Sequence, residues 1–402
     1  MKLQPHSSAI YRLAVVVCSL FVFEIQTPRD SEAADPLTAI KSQADLDGLI
    51  GSTQNAALRQ ALKDRSAEIL VAAAAQPAIG RVTAKLDEAR GTYEKMNTTP
   101  ADLQAALGGP SAVFDTLKSV NLAATGLTIK EKRTTDPFDQ TFYEDLARVP
   151  GLETINIINT TAENAWLAPL AGIPSLKILR ITNQSKLDDA GLALLAPLRQ
   201  LESFGYVGTK MTGAPFRDFK GWTNLKTASF RGSKMSDEGL IALCEAFPNL
   251  KSLVLAHGQF SDVAVAHLAS LKQLTGLEIG SHHTTPAALK HITALPLEYL
   301  QLGDGLDASE GIRIIAGIKT LKRLTLTNSK PTTDDDLRVV AGMKHLDHVE
   351  LGNLEITEAR IPVLAEFAFL KSMRLVRRPQ PYEPELQAKL KAALPNTALA
   401  FE

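Results

Sequence analysis

The chain has 402 residues, 45% of them hydrophobic and 22% charged, which are ordinary proportions for a folded protein. Forty-three Lys and Arg nearly balance 44 Asp and Glu, for a net charge of −1; a nucleic-acid partner, which calls for a basic stripe to neutralise phosphates, is not expected. Only two cysteines occur, Cys18 and Cys244, too few for a disulfide-stapled framework.

In chain order, residues 1–34 read as an export signal or N-terminal anchor. Lys2 and Arg12 lie in a polar start, Leu13 to Phe23 is apolar apart from Ser19, and Ser31-Glu32-Ala33 offers small residues for cleavage. A run this short does not reach the roughly 20 apolar residues that cross a bilayer. Removal of this segment leaves Cys244 alone, so the mature protein has no internal disulfide and a bacterial envelope or periplasmic setting is expected. The triplets at Asn97, Asn159 and Asn183 match the glycosylation pattern, but chance accounts for them in that setting.

Residues 35–112 do not repeat and read as a helical N-terminal cap. Leu58, Ala61, Leu62, Ile69 and Leu70 suggest one helix ending near Pro77, and Val82, Leu86, Ala89, Tyr93 and Met96 form the stripe of a second. Thr99-Pro100 predicts a third, with Thr as N-cap and Pro at its first position, stopped by Gly108-Gly109-Pro110.

From Leu152 onward the phrase Leu-x-x-Leu-x-Leu, with conservative swaps, starts ten times, at Leu152, Leu176, Leu201, Leu225, Leu250, Leu274, Leu297, Leu321, Leu346 and Leu370. The spacings are 24, 25, 24, 25, 24, 23, 24, 25 and 24 residues. Leu117, Val120 and Leu122 state it once more, 35 residues earlier, with an insertion around residues 130–137. A period of 20–29 residues carrying this phrase is the mark of leucine-rich repeats. The fold class is therefore α/β: a solenoid, or horseshoe, of about eleven repeats over residues 113–402, with a parallel sheet on the concave face and helices on the convex one. Positions one, four and six of the phrase point inward and the alternate positions face solvent. Ser236-Asp237-Glu238-Gly239-Leu240 and its counterparts at Asp188, Ser261, Thr285 and Thr357 predict capped convex helices. After the last phrase come Pro379, Pro381 and Pro384, then a helix over 385–394 and a closing strand over 397–401 as a short C-terminal cap.

The phrase followed by Thr or Ser, then Ser/Thr-Asp and Gly-Leu-x-x-Leu, resembles the F-box-type, cysteine-containing class of these repeats in an exported bacterial form. Thr160, Thr209, Ser233 and Ser329 stand where that class has cysteine. The resemblance implies a fold; the substrate-adaptor role of its eukaryotic members is disfavoured by the export signal and by the lack of an F-box in residues 35–112.

The solvent side of the strands is small or neutral at Ser203, Gly205, Val207, Ser252, Val254, Ala256, Gly276 and Gly280. It is richer at Glu278, Tyr299, Gln301, Arg323, Thr325, His348, Glu350 and Arg374, which together predict a contact strip for a protein or peptide. His257, His282, His283 and Asp304 follow adjacent strands and could meet as a surface metal site, although no tight ligand spacing such as His-Glu-x-x-His accompanies them. No nucleophile elbow, phosphate loop or zinc-protease motif occurs. The expected protein is a non-catalytic monomer without cofactor. The alternative is a structural or adhesive surface component binding glycan or matrix, for which a single exposed aromatic, Tyr299, offers little stacking.

Overall fold

Each leucine phrase forms a strand because its apolar positions alternate, and alternate side chains of a strand lie on opposite faces. The structure is a computed structural model and describes residues 35–123 and 138–402. The expected signal segment and the insertion at 130–137 lie outside the described residues.

Among the described residues, thirteen strands form one sheet whose spatial order is the chain order. They are β1 (Thr92–Asn97), β2 (Asp115–Asn121), β3 (Thr154–Ile158), β4 (Ile178–Thr182), β5 (Ser203–Val207), β6 (Thr227–Ser229) and β7 (Ser252–Gly258). There follow β8 (Gly276–Ser281), β9 (Tyr299–Leu302), β10 (Arg323–Leu326), β11 (His348–Gly352), β12 (Ser372–Val376) and β13 (Ala398–Phe401). From β2 to β13 every pairing is parallel. The chain is a leucine-rich-repeat solenoid of the α/β class. Inward positions are sealed: in the phrase of β7, Leu250, Leu253 and Leu255 are at most 1% exposed.

The return segments are helical in several units, as at Gln140–Ala147, Asp237–Ala246, Ser309–Ile315 and Asp334–Ala341. Others are 3-10 turns, as at Asn164–Gly172, Ala214–Asp218 and Pro286–Ile292. Of these three only Asn164–Gly172 holds a proline in its interior, Pro169, which removes a backbone donor; Pro215 and Pro286 stand at the start of their segments, where proline is tolerated.

The region before the repeats departs from the sequence reading in three ways. The helix Ser66–Glu88 runs through Pro77 instead of ending there. Buried Ile69, Ala72 and Ala75 before the proline and Ala78, Ile79 and Val82 after it hold both halves against the core, which offsets the one missing backbone bond. The stripe Val82–Met96 is not one helix: Arg90 turns at φ 55°, and Tyr93 and Met96 belong to β1, antiparallel to β2. Pairing the otherwise open backbone edge of β2 outweighs helical periodicity here. Gly91 makes the turn possible, since a Cβ there would sit 2.7 Å from the Asn121 carbonyl oxygen. Finally, the third helix begins at Ala101 with Pro100 as its N-cap residue; Thr99 instead accepts from the Ser111 N–H at 3.0 Å and donates to Asn97. The joint to the first repeat is polar. Asp145, 3% exposed as a side chain, takes two bonds of 2.7 Å from Arg81 and one of 3.0 Å from Arg148.

Two recurring sets of side-chain bonds brace the repeats, the first mostly within one repeat and the second a ladder between neighbours. Thr209, Ser233 and Ser329 are buried, and each hydroxyl donates to the carbonyl three residues back; Thr160 donates to Gln184. The second ladder corrects the capping expectation. Asp188 and Ser236 cap their own helices, but Ser261, Thr285 and Thr357 make no side-chain cap bond. Two of them hand their hydrogen-bonding to the previous repeat instead. Asp237 accepts from the backbone and hydroxyl of Ser261, and Asp262 does the same for Thr285. Asp189 treats Thr212 in the same way.

Candidate functional site

Strand register turns residues far apart in the chain into columns. On the concave face, Ser252, Gly276, Tyr299, Arg323, His348 and Ser372 pair in succession along one column. Val254, Glu278, Gln301, Thr325, Glu350 and Arg374 form the next. All eight residues singled out in the sequence thus lie in two adjacent columns on β8 to β12, with strands ~4.8 Å apart.

Their interactions are uneven. The Tyr299 hydroxyl donates to Gln301 Oε1 at 2.7 Å, and burial raises the phenol above its ordinary pKa. His348 shares a hydrogen bond with Ser372 Oγ. Arg374 is held by Glu350 at 2.9 Å and also by Glu402. Glu278, 12% exposed as a side chain, pairs with Arg231. Burial pushes its carboxyl above the usual range, and the positive fields of Arg231 and His257 oppose that rise. Arg323 is exposed and makes no ion pair among the described residues.

The metal candidates meet only in part, at Asp304. The His257 ring Nδ1 lies 3.0 Å from Asp304 Oδ1, and its backbone N–H donates to Oδ2 at 3.1 Å. His282 stands 3.8 Å from the same carboxylate, and His283 is exposed. Among the described residues, no group of three or more His, Cys, Asp or Glu is arranged to hold an ion. Asp304 instead straps two turns together across the intervening repeat. Gly280 gives it passage, because a Cβ there would lie 2.7 Å from Asp304 Oδ2. Cys244 is buried in its convex helix, and desolvation pushes its thiol up to about 12, the condition of an inert structural thiol.

Three features escaped the sequence reading. First, at seven of the ten phrases the seventh position after the start is a turn in the left-handed region, at Asn159, Asn183, Gly208, Gly232, His257, Asp304 and Asn353. Asn and Gly tolerate that conformation best, so the residue types alone carried the signal. Second, the small-residue stretch is an open depression of about 450 Å³ on β4 to β7, lined by Arg180, Ser203, Gly205, Thr227, Ser229 and Val254 among others.

Third, the residues just ahead of the strands form a charged rim. Backbone bonds link Lys118, Glu153, Lys177, Glu202, Lys226, Lys251, Thr275, Glu298, Lys322, Asp347 and Lys371 in succession. Acid and base alternate along it, with ion pairs of 2.6 Å for Lys177–Glu153, 3.4 Å for Lys226–Glu202 and 3.1 Å for Lys371–Asp347. The alternation fails once, where Lys226 meets Lys251 and Thr275 follows.

No protein-family model matches the chain, and no curated protein matches it. Among solved structures it is similar to an internalin from Listeria monocytogenes, with 16% identity over 70% of this chain and 86% of that one, at a TM-score of 0.38.

Proposed function

We propose that this chain is an exported, non-catalytic recognition protein that binds a protein or peptide through the concave face of its solenoid. The observation that carries the reading is the pair of columns on β8 to β12, where Tyr299 and Arg323 sit side by side on a rigid sheet. Aromatic and arginine side chains supply most of the energy at protein interfaces, and Arg323 has no ion pair among the described residues that a partner would have to displace. Export rests on the composition of residues 1–34. No helix among the described residues is long and apolar enough to cross a membrane.

The test is affinity capture from a bacterial envelope extract, comparing the chain with a Tyr299→Ala/Arg323→Glu variant. A polypeptide retained by the first and lost by the second is the expected result. Capture of the same species by both would overturn the assignment to this strip.

A further inference from the structure

The depression on β4 to β7 has a charge imbalance that the strip does not. Its acidic neighbours are spent: Glu202 holds Lys226 at 3.4 Å, and Glu278 holds Arg231. Arg180, exposed at one end of the depression, and Lys251, exposed on the rim at the other, have no ion pair among the described residues. Lys226 and Lys251 are also neighbours across the sheet, joined by a backbone bond of 2.8 Å. Like charges placed opposite one another on a sheet are unfavourable, and the rim avoids this arrangement at its other positions. The floor between the two cations is small and partly hydroxylic, so a ligand backbone can approach it closely.

We propose that this depression receives an acidic, extended peptide segment of the partner, with one carboxylate at Arg180 and a second at Lys251. β4 and β7 are three strand spacings apart, about 14 Å at ~4.8 Å per strand. Lys251 lies three residues before Val254, the register partner of Arg180, so the two cations stand about 17 Å apart. An extended chain covers that distance in about five residues. The motif is therefore two Asp or Glu residues about five apart with small residues between. A peptide fits better than an anionic glycan because Phe204, the one aromatic residue lining the depression, is only 1% exposed and offers no open ring for a sugar to stack upon. The proposal rests on the reading of the chain as a peptide-recognition protein and adds the chemistry of the ligand.

Selection of a displayed library of random 12-residue peptides on the full chain tests it. Three variants serve as comparisons: Arg180→Glu/Lys251→Glu, Gly205→Leu, which fills the depression without changing charge, and Tyr299→Ala/Arg323→Glu. Circular dichroism melts check that each folds. The expected result is enrichment of acidic pairs at about five-residue spacing on the unmodified chain. Binding of those peptides should fall about tenfold or more on the first two variants. Enriched peptides without acidic pairs, or equal binding to the Arg180→Glu/Lys251→Glu variant, would overturn it. Loss on the Tyr299→Ala/Arg323→Glu variant alone would move the acid to the strip and also overturn it. A heparin hexasaccharide bound at Arg180 and Lys251, with no peptide enriched, would replace the peptide by an anionic glycan. No enrichment and no heparin binding would remove the peptide-recognition reading itself, and this proposal with it.

Discussion

The stretch β5 to β7 and the stretch β9 to β12 have the same backbone and opposite dress. Under β5 to β7 the interior is aromatic. Phe219 and Trp222 ring centroids lie 4.8 Å apart, Phe216 and Phe230 5.1 Å, and Trp222 and Phe247 5.5 Å, while the concave side is a bare depression. Under β9 to β12 the interior is mainly aliphatic, as at Leu300, Leu324 and Leu351, with Phe367 a fully buried ring between β11 and β12, and the concave side carries Tyr299, Arg323, His348 and Arg374. Because a strand sends alternate residues to opposite faces, core filling and surface chemistry vary independently from repeat to repeat. The outer columns are therefore free to encode a ligand without disturbing the fold.

That independence can be broken first at the interior. Trp222→Ala and Leu324→Ala both empty fully buried sites, and each should cost about 3–5 kcal/mol in urea unfolding. A loss below about 1 kcal/mol for Trp222→Ala would mean that the aromatic stretch collapses around the gap and is not close-packed as described. Glu278, between the two stretches, gives a pH-dependent contrast. Its folded pKa is raised chiefly by burial, so its contribution to stability is fully present below the unfolded value and is lost as pH rises through the folded one. Glu278→Gln removes that loss. The urea midpoint of the variant should gain on the parent between pH 4 and pH 7, and a constant difference would refute the burial argument. The smallest effect belongs to the rim: Lys251→Glu restores alternation and should raise the melting midpoint by about 1 °C, less in high salt. A lowered midpoint would show that Lys251 already has a stabilising role in the unliganded chain.

The strands were legible because the leucine phrase couples period and burial in one pattern, and the two columns of Glu278 to Arg374 followed from that alternation. What stayed hidden depends on groups that are neighbours only after folding. The Lys226–Lys251 break needs the register of β6 and β7 to be seen, since the two residues are 25 positions apart. The course of β1 was masked by the helical spacing of Tyr93 and Met96, which the open edge of β2 overrides. The His257–Asp304 strap depends on what Gly280 leaves out, and an empty space has no pattern of its own.

The aspartate ladder has a consequence for how such a chain can change length. Asp189, Asp237 and Asp262 each satisfy a residue 23 or 24 positions further on, always one turn away. No bond of this kind refers to the total number of turns. Copying the turn that runs from Asp237 to Ser261 would repeat an aspartate with a hydroxyl recipient one turn on, whereas a shift of a few residues would separate the two. The spacing of these bonds makes the single turn the natural step by which such a sheet grows or shrinks.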